Sequence, residues 1–169
     1  MDPIKTSLSK TTKVPLRYNP HNLTQKDKKK QKRNLLKSRK LYKKGIYYSR
    51  PKVKSFKSKK SRHLQNLQTM YNVENANINE DLAKKTQCKI EGLEEIMKKG
   101  QGAYYSSGSR PNQTAHSWGA ARLASALTGG NASTIDYHVL EKYCATSSKP
   151  LKLAKKQCKK LNRTCKATK

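Results

Sequence analysis

The stretch GQGAYYSSGSRPNQTAHSWGAARLAS, residues 100–125, is nearly uncharged in a chain whose formal net charge is +29. Its only charged side chains are Arg110 and Arg122. Glycines and one proline interrupt its first half, so we predict irregular backbone from residue 100 to residue 112. Its second half has apolar residues at helical spacing, which predicts a helix within Thr114–Gly129.

Positive charge is concentrated on both sides of this stretch. Residues 1–72 hold 22 Lys and Arg against two acids, residues 73–148 hold eight of each, and residues 149–169 hold nine cations and no acid. We therefore predict a basic N-terminal arm (1–72), a neutral compact helical domain (73–148) and a basic C-terminal tail (149–169). Chain of low hydrophobicity and high charge stays disordered alone, so we expect long extended or irregular arms.

Capping and periodicity predict a mostly α fold with no strand. In the N-terminal arm, Thr24 is a candidate N-cap and Gly45 a candidate stop for a helix that is marginal without a packing partner. A second short helix is expected near Arg62–Tyr71. Before them, Pro15 and Pro20 indicate an extended segment.

Four short helices are expected in the neutral domain. The first follows an Asn79 N-cap, and the second begins near Ile90 and ends at Gly100. The third is the helix within Thr114–Gly129. The fourth carries an apolar stripe at i, i+4 and i+8, formed by Ile135, Val139 and Tyr143.

Residues 81–100, DLAKKTQCKIEGLEEIMKKG, have the spacing of a helix-turn-helix unit. Gln87 stands where such turns often carry Gly. The second helix carries three carboxylates, which would repel phosphate: Glu91, Glu94 and Glu95. We therefore favour a helical hairpin used for packing over an element that reads DNA.

The residue types of the uncharged stretch suit a contact surface for a partner protein. Tyrosine offers a large amphipathic area at low entropic cost, and Ser, Asn and Gln offer adaptable hydrogen bonds. Trp118 and Arg122 lie one helical turn apart, which predicts a cation–π pair or a shared docking face. A Trp118 buried in the core is the alternative. The predicted partner-binding residues are Tyr104, Tyr105, Ser107, Arg110, Asn112, Trp118 and Arg122.

The lysine-rich arms predict a polyanionic partner. Lys and Arg that neutralise phosphates give strong, salt-sensitive binding without sequence preference. The same side chains gain affinity from acidic protein surfaces by charge complementarity, so composition does not decide between the two. The residues expected to make these contacts are Lys28, Lys29, Lys30, Lys32, Arg33, Lys57, Lys59, Lys60 and Arg62.

Signatures of catalysis and cofactor binding are missing from the sequence. It has no phosphate-binding glycine motif, no nucleophile elbow and no zinc-binding helix, so we expect a non-enzymatic protein without cofactor or metal. No apolar run is long enough to span a bilayer. The cysteines lack zinc-site spacing, and we predict free thiols for Cys88, Cys144, Cys158 and Cys165. We accordingly expect the chain in a reducing compartment or in a particle assembled there.

The most specific motif is Tyr104–Asn112 (YYSSGSRPN), followed by Trp118 and by Arg122–Ser125 (RLAS). With it, residues 15–145 resemble a family of small basic proteins of unknown function. These are encoded by large DNA viruses of algae and amoebae, and related versions occur in bacteriophages. The resemblance implies a viral origin and assigns no catalytic residue.

Together these observations predict a structural protein of the virion. We expect a minor capsid protein, made in the host cytoplasm or nucleus, that cements capsomers on the inner side of an icosahedral shell. Acidic capsid surfaces would bind the arms, because a repeating lattice fixes a basic arm in one conformation; an inner membrane surface is a further contact. The alternative is a virion-packaged protein that binds and condenses nucleic acid without sequence preference.

Overall fold

The computed structural model describes residues 13–165, which are mostly α-helical and contain no strand. The predicted mostly α class is confirmed. The first twelve residues of the predicted N-terminal arm and the last four of the tail lie outside the described residues. After a 3-10 helix at Leu16–Tyr18, the helices are α1 Gln25–Tyr42, α2 Arg62–Tyr71, α3 Glu80–Thr86, α4 Ile90–Ser106, α5 Ala115–Leu127, α6 Asn131–Ile135, α7 Tyr137–Tyr143 and α8 Lys149–Lys160.

The described chain divides into two compact units. Unit 1 comprises residues 13–59 and 102–115, and unit 2 comprises residues 60–101 and 116–165. These limits differ from the predicted boundaries after residues 72 and 148. The nearly uncharged stretch contributes to both units, and the predicted C-terminal tail forms α8 within unit 2.

In unit 1, local sequence signals determine where α1 begins and ends. The Thr24 hydroxyl accepts a hydrogen bond from the Asp27 amide at 3.3 Å, as an N-cap does. At the other end, Gly45 has a φ of 75°, and the Ile46 amide donates to the Leu41 carbonyl at 3.0 Å. This is a Schellman-type ending, so the predicted cap and stop are confirmed.

The face that α1 buries is mostly polar. The Gln31 side chain donates to the Tyr18 carbonyl at 3.0 Å, and the Ser38 hydroxyl donates to the Tyr105 carbonyl at 3.0 Å. Tyr18 is itself buried, in a 3-10 turn where we predicted extended chain. An apolar periodicity cannot reveal such a face. Its buried members are Asp27, Gln31, Asn34, Leu35 and Ser38.

Helix α4 continues through Gly100 to Ser106, so the predicted stop at Gly100 and the predicted irregular backbone before Ser106 are wrong. Within unit 2, a Cβ on Gly100 would lie 2.6 Å from the Gly119 Cα, and a Cβ on Gly119 would lie 2.8 Å from the Met97 carbonyl oxygen. Both glycines therefore allow α4 and α5 to approach closely. Here glycine serves packing, while the same residue type ends α1.

The predicted fourth helix of the neutral domain is interrupted. It forms α6 and α7, separated at Asp136, whose backbone leaves the helical region. Val139 is buried as expected, but Ile135 is 57 % exposed, so the predicted stripe is wrong at its first position. The core of unit 2 also contains residues from α2 to α5 and α8, which include Leu67, Leu82, Leu93, Ile96, Leu123, Leu127 and Leu151.

All four cysteines lie in unit 2 and form disulfides, so the prediction of free thiols is wrong. Cys88 pairs with Cys144 across 56 residues, and Cys158 pairs with Cys165. An isolated antiparallel bridge joins Cys88 and Cys144, a contact that no local spacing reveals. The expected reducing compartment, which rested on free thiols, loses that support. Among residues 13–165, no helix is both long and apolar enough to cross a membrane.

We predict opposite effects of alanine at two neighbouring glycines of α4. Gly100→Ala forces a methyl group against the Gly119 backbone and should lower the free energy of unfolding by about 1–3 kcal/mol. Gly102→Ala meets only the Tyr42 hydroxyl, at 3.6 Å, and should raise it by about 0.5–1 kcal/mol through helix propensity. Urea unfolding measures both. Equal changes in one direction would contradict the close approach at Gly100.

Candidate polyanion-binding surface

Arg50 holds the extended segment of unit 1, residues 46–59, against the segment 102–115. Its guanidinium donates to the Tyr104 carbonyl at 2.6 Å, to the Ser38 hydroxyl at 3.0 Å and to the Ser109 hydroxyl at 2.7 Å. The guanidinium carbon also lies 3.8 Å from the centre of the Tyr104 ring. No carboxylate of the described residues pairs with this cation, and burial lowers the pKa of Arg50.

Asn112 fixes the same segment a few residues further on. Its side-chain oxygen accepts from the Val53 amide at 2.8 Å, and its side-chain nitrogen donates to the carbonyls of Val53 at 3.1 Å and Phe56 at 3.0 Å. Asn112 has a φ of 63°, which asparagine tolerates better than most residues. Val53 is buried as a result, with 2 % of its surface exposed.

These contacts correct part of the predicted partner-binding set. Tyr104 is 1 % exposed and its hydroxyl accepts from the Arg50 amide, so Tyr104 and Asn112 are structural residues. In unit 2, two hydrogen bonds of 2.8 Å join the Arg122 guanidinium to the Asp136 carboxylate and raise the pKa of Arg122. Arg122 therefore has its charge matched within the fold.

The remaining predicted residues are more accessible. In unit 1, Ser107 and Arg110 are exposed and Tyr105 is partly exposed, while Trp118 in unit 2 is partly buried. The Ser107 carbonyl accepts from the Arg39 side chain at 2.9 Å. The predicted set is thus divided between the two units.

The one carboxylate in the described part of unit 1 is Asp27, and it is turned inward. It is 8 % exposed and accepts hydrogen bonds from the Ser55 amide at 2.8 Å and the Ser55 hydroxyl at 2.6 Å. These bonds lower the pKa of Asp27. The carboxylate stabilises the extended segment and leaves no acidic group on this part of the surface.

Cations dominate that surface. Residues 13–59 and 102–115 contain 19 Lys and Arg beside the single Asp27. Opposite its buried face, α1 exposes Lys26, Lys29, Lys32, Arg33 and Lys40. In unit 2, the described residues hold 16 Lys and Arg against eight acids, a far smaller excess.

The predicted basic contacts follow this pattern with two departures. Lys29, Lys32 and Arg33 on α1 are exposed, as are Lys57 and Lys59 on the extended segment. The departures are the partly buried Lys28 and Lys30, of which Lys30 donates to the Lys52 carbonyl at 2.9 Å. Exposed side chains of unit 2 complete the set, namely Lys60 and Arg62.

Three tyrosines of unit 1 (Tyr42, Tyr47 and Tyr105) form a group that we call the tyrosine cluster. Sequence reasoning predicted Tyr105 as a contact residue but missed Tyr42 and Tyr47. The ring centres of Tyr42 and Tyr105 lie 6.4 Å apart with nearly parallel planes, and the Tyr47 ring lies 5.1 Å from that of Tyr105. Tyr47 is 70 % exposed. The sequence hint is LYKKGIYY (41–48), in which tyrosines stand on both sides of two lysines and so bring aromatic rings into the basic segment.

The candidate helix-turn-helix of unit 2 consists of two successive helices, and its use as a packing hairpin stays a prediction. Helices α3 and α4 are joined through Gln87, which adopts the left-handed conformation that such turns often give to Gly. Glu91 and Glu94 on α4 are exposed. Among residues 13–165, no three His, Cys, Asp or Glu side chains are placed to hold a metal ion.

The substitution Arg50→Lys tests whether the guanidinium of Arg50 holds the extended segment in place. We expect Arg50→Lys to lower the free energy of unfolding by about 2–3 kcal/mol, because an ammonium group cannot reproduce the planar fork that reaches three oxygens. Arg110→Lys, at an exposed arginine of the same unit, should change it by less than about 0.5 kcal/mol. Urea unfolding compares the two variants, and equal small losses would show that Arg50 does not hold the segment.

Comparison with known proteins places the chain in a family. No curated protein matches the chain, and no solved structure matches it. The model of one family of unknown function, DUF5824, matches residues 8–139. The match contains the motif Tyr104–Asn112 and most of the basic N-terminal segment. The chain therefore belongs to DUF5824, a family of unknown function.

Proposed function

We propose that unit 1 binds the phosphate backbone of nucleic acid without sequence preference and without catalysing a reaction. The observation that carries the proposal is the burial of Asp27, the one carboxylate among the described residues of this unit. The outward face of α1 presents five cations, and no other acidic residue belongs to the part of unit 1 that the structure describes. Such a surface attracts any polyanion strongly.

The helix suits a run of phosphates. Lys29 and Lys40 are separated by roughly 16 Å along α1, given a rise of about 1.5 Å per residue. Several phosphates of one nucleic-acid backbone fall within that length. Each lysine that neutralises a phosphate releases a condensed counterion, so affinity would fall steeply with added salt.

The expected role as a minor capsid protein remains a prediction. That role was favoured because disordered arms would need a protein lattice to become ordered. In unit 1, the hydrogen bonds of Arg50 and Asn112 instead order residues 46–59 within the chain itself. The exposed cations of unit 1 are therefore the feature that a proposed ligand must match, and the phosphate backbone of nucleic acid matches them directly.

Three lysines on the outward face of α1 provide the test. We expect the combined Lys29→Gln, Lys32→Gln and Lys40→Gln variant to bind mixed-sequence duplex DNA more weakly. The slope of log affinity against log salt should become smaller by about one for each phosphate that the variant no longer neutralises. Glutamine keeps the helix propensity of lysine, so the fold should be preserved.

The matched control removes three exposed lysines from unit 2 by Lys84→Gln, Lys89→Gln and Lys98→Gln. Net charge changes equally in both variants, and the control should keep most of the affinity and slope. Equal losses of affinity in the two variants would show that DNA binding depends on the net charge of the chain and not on the outward face of α1. If the wild-type protein binds polyglutamate but does not bind DNA, an acidic protein partner is favoured instead.

A further inference from the structure

We propose that the tyrosine cluster binds unpaired bases, which makes single-stranded nucleic acid the preferred ligand of unit 1. The inference rests on the proposed function and names the substrate class of the same surface. Aromatic side chains beside a cationic track are how proteins hold single strands without sequence preference, because every base has a face that can stack.

The geometry leaves one ring available for stacking. Tyr42 and Tyr105 lie nearly parallel, with an interplanar angle of 7°, and Tyr47 is tilted by 46° to Tyr105 and by 48° to Tyr42. The centre of the Tyr47 ring lies 6.0 Å from that of Tyr42 and 5.1 Å from that of Tyr105, and Tyr47 exposes 70 % of its surface. A base stacked on Tyr47 would extend an existing aromatic group.

The cluster is held in place by backbone contacts. The Schellman-type ending of α1 at Gly45 turns the chain so that Tyr47 returns over Tyr42. The ring centres of Tyr105 and Tyr104 lie 5.0 Å apart with nearly perpendicular planes, and Tyr104 is packed on Arg50. A preformed platform binds with a smaller loss of side-chain entropy than mobile tyrosines would.

The charges around the cluster select its occupant. Lys43 and Lys44 stand between Tyr42 and Tyr47 in the chain and are exposed. A single strand offers an apolar base face and a phosphate at each nucleotide, which matches alternating rings and ammonium groups. A duplex offers the phosphates alone, because its base faces are covered by their neighbours in the stack.

Tyr47→Ala on the full chain separates the two kinds of ligand. We expect the affinity for a short mixed-sequence DNA strand to fall about tenfold, and the affinity for the corresponding duplex to stay within about twofold of the wild type. Tyr47→Phe keeps the ring and should keep both affinities. Ile46→Ala, at the neighbouring exposed apolar residue, is the matched control and should leave both unchanged. Fluorescence anisotropy at constant salt measures all four proteins.

The outcomes distinguish the inference from the proposed function. If Tyr47→Ala weakens strand and duplex equally, if it weakens neither, or if Ile46→Ala matches it on the single strand, the inference is overturned. In those cases, wild-type binding that depends on Lys29, Lys32 and Lys40 would still support the proposed function. If the wild type binds neither strand nor duplex, both are overturned.

Discussion

A partly buried arginine, Arg50, which pairs with no carboxylate of the described residues, organises unit 1. The Arg50 guanidinium is surrounded by a carbonyl oxygen, two serine hydroxyls and the face of Tyr104. Neutral acceptors compensate the loss of hydration only when several are placed correctly, since burial disfavours the charged form. Unit 2 solves the same problem differently, because its Arg122 is paired with the buried carboxylate of Asp136. Because Arg50 is satisfied without a carboxylate, Asp27 is the one acidic residue among the described residues of unit 1, and the proposed function depends on that.

The arrangement has an electrostatic cost. The described part of this small unit contains 19 cations and one acid. The cations repel one another, and this repulsion disfavours the compact state. Helix α1 compensates with a buried polar face in which Gln31, Ser38 and Asp27 each make hydrogen bonds. A polyanion that neutralises the outward lysines would relieve the repulsion, so binding and stability of unit 1 are expected to be coupled.

The sequence was sufficient where the determining contacts are local. The Thr24 cap, the Gly45 stop and the Asn79 cap each act within a few residues, and all three appear as predicted. It failed where a glycine can either end a helix or allow close packing. Gly100 does not end α4 but allows the close approach of Gly119 on α5. The pairing of Cys88 with Cys144 and the polar anchoring of residues 46–59 depend on contacts between distant segments. The candidate surface was foreseen as basic, but of its tyrosine cluster only Tyr105 was predicted as a contact residue, and for a partner protein; the neighbouring Tyr104 is buried.

The central claim is that the basic segment around Arg50 is ordered by the chain itself, before any partner binds. Amide hydrogen exchange of the purified chain, without nucleic acid, tests it most directly. The amides of Arg50, Val53 and Ser55 donate to the Tyr104 hydroxyl, the Asn112 side chain and the Asp27 carboxylate, so they should exchange far more slowly than in an unfolded peptide. Exchange of these three amides at unfolded rates, with the core helix α5 still protected, would contradict the account.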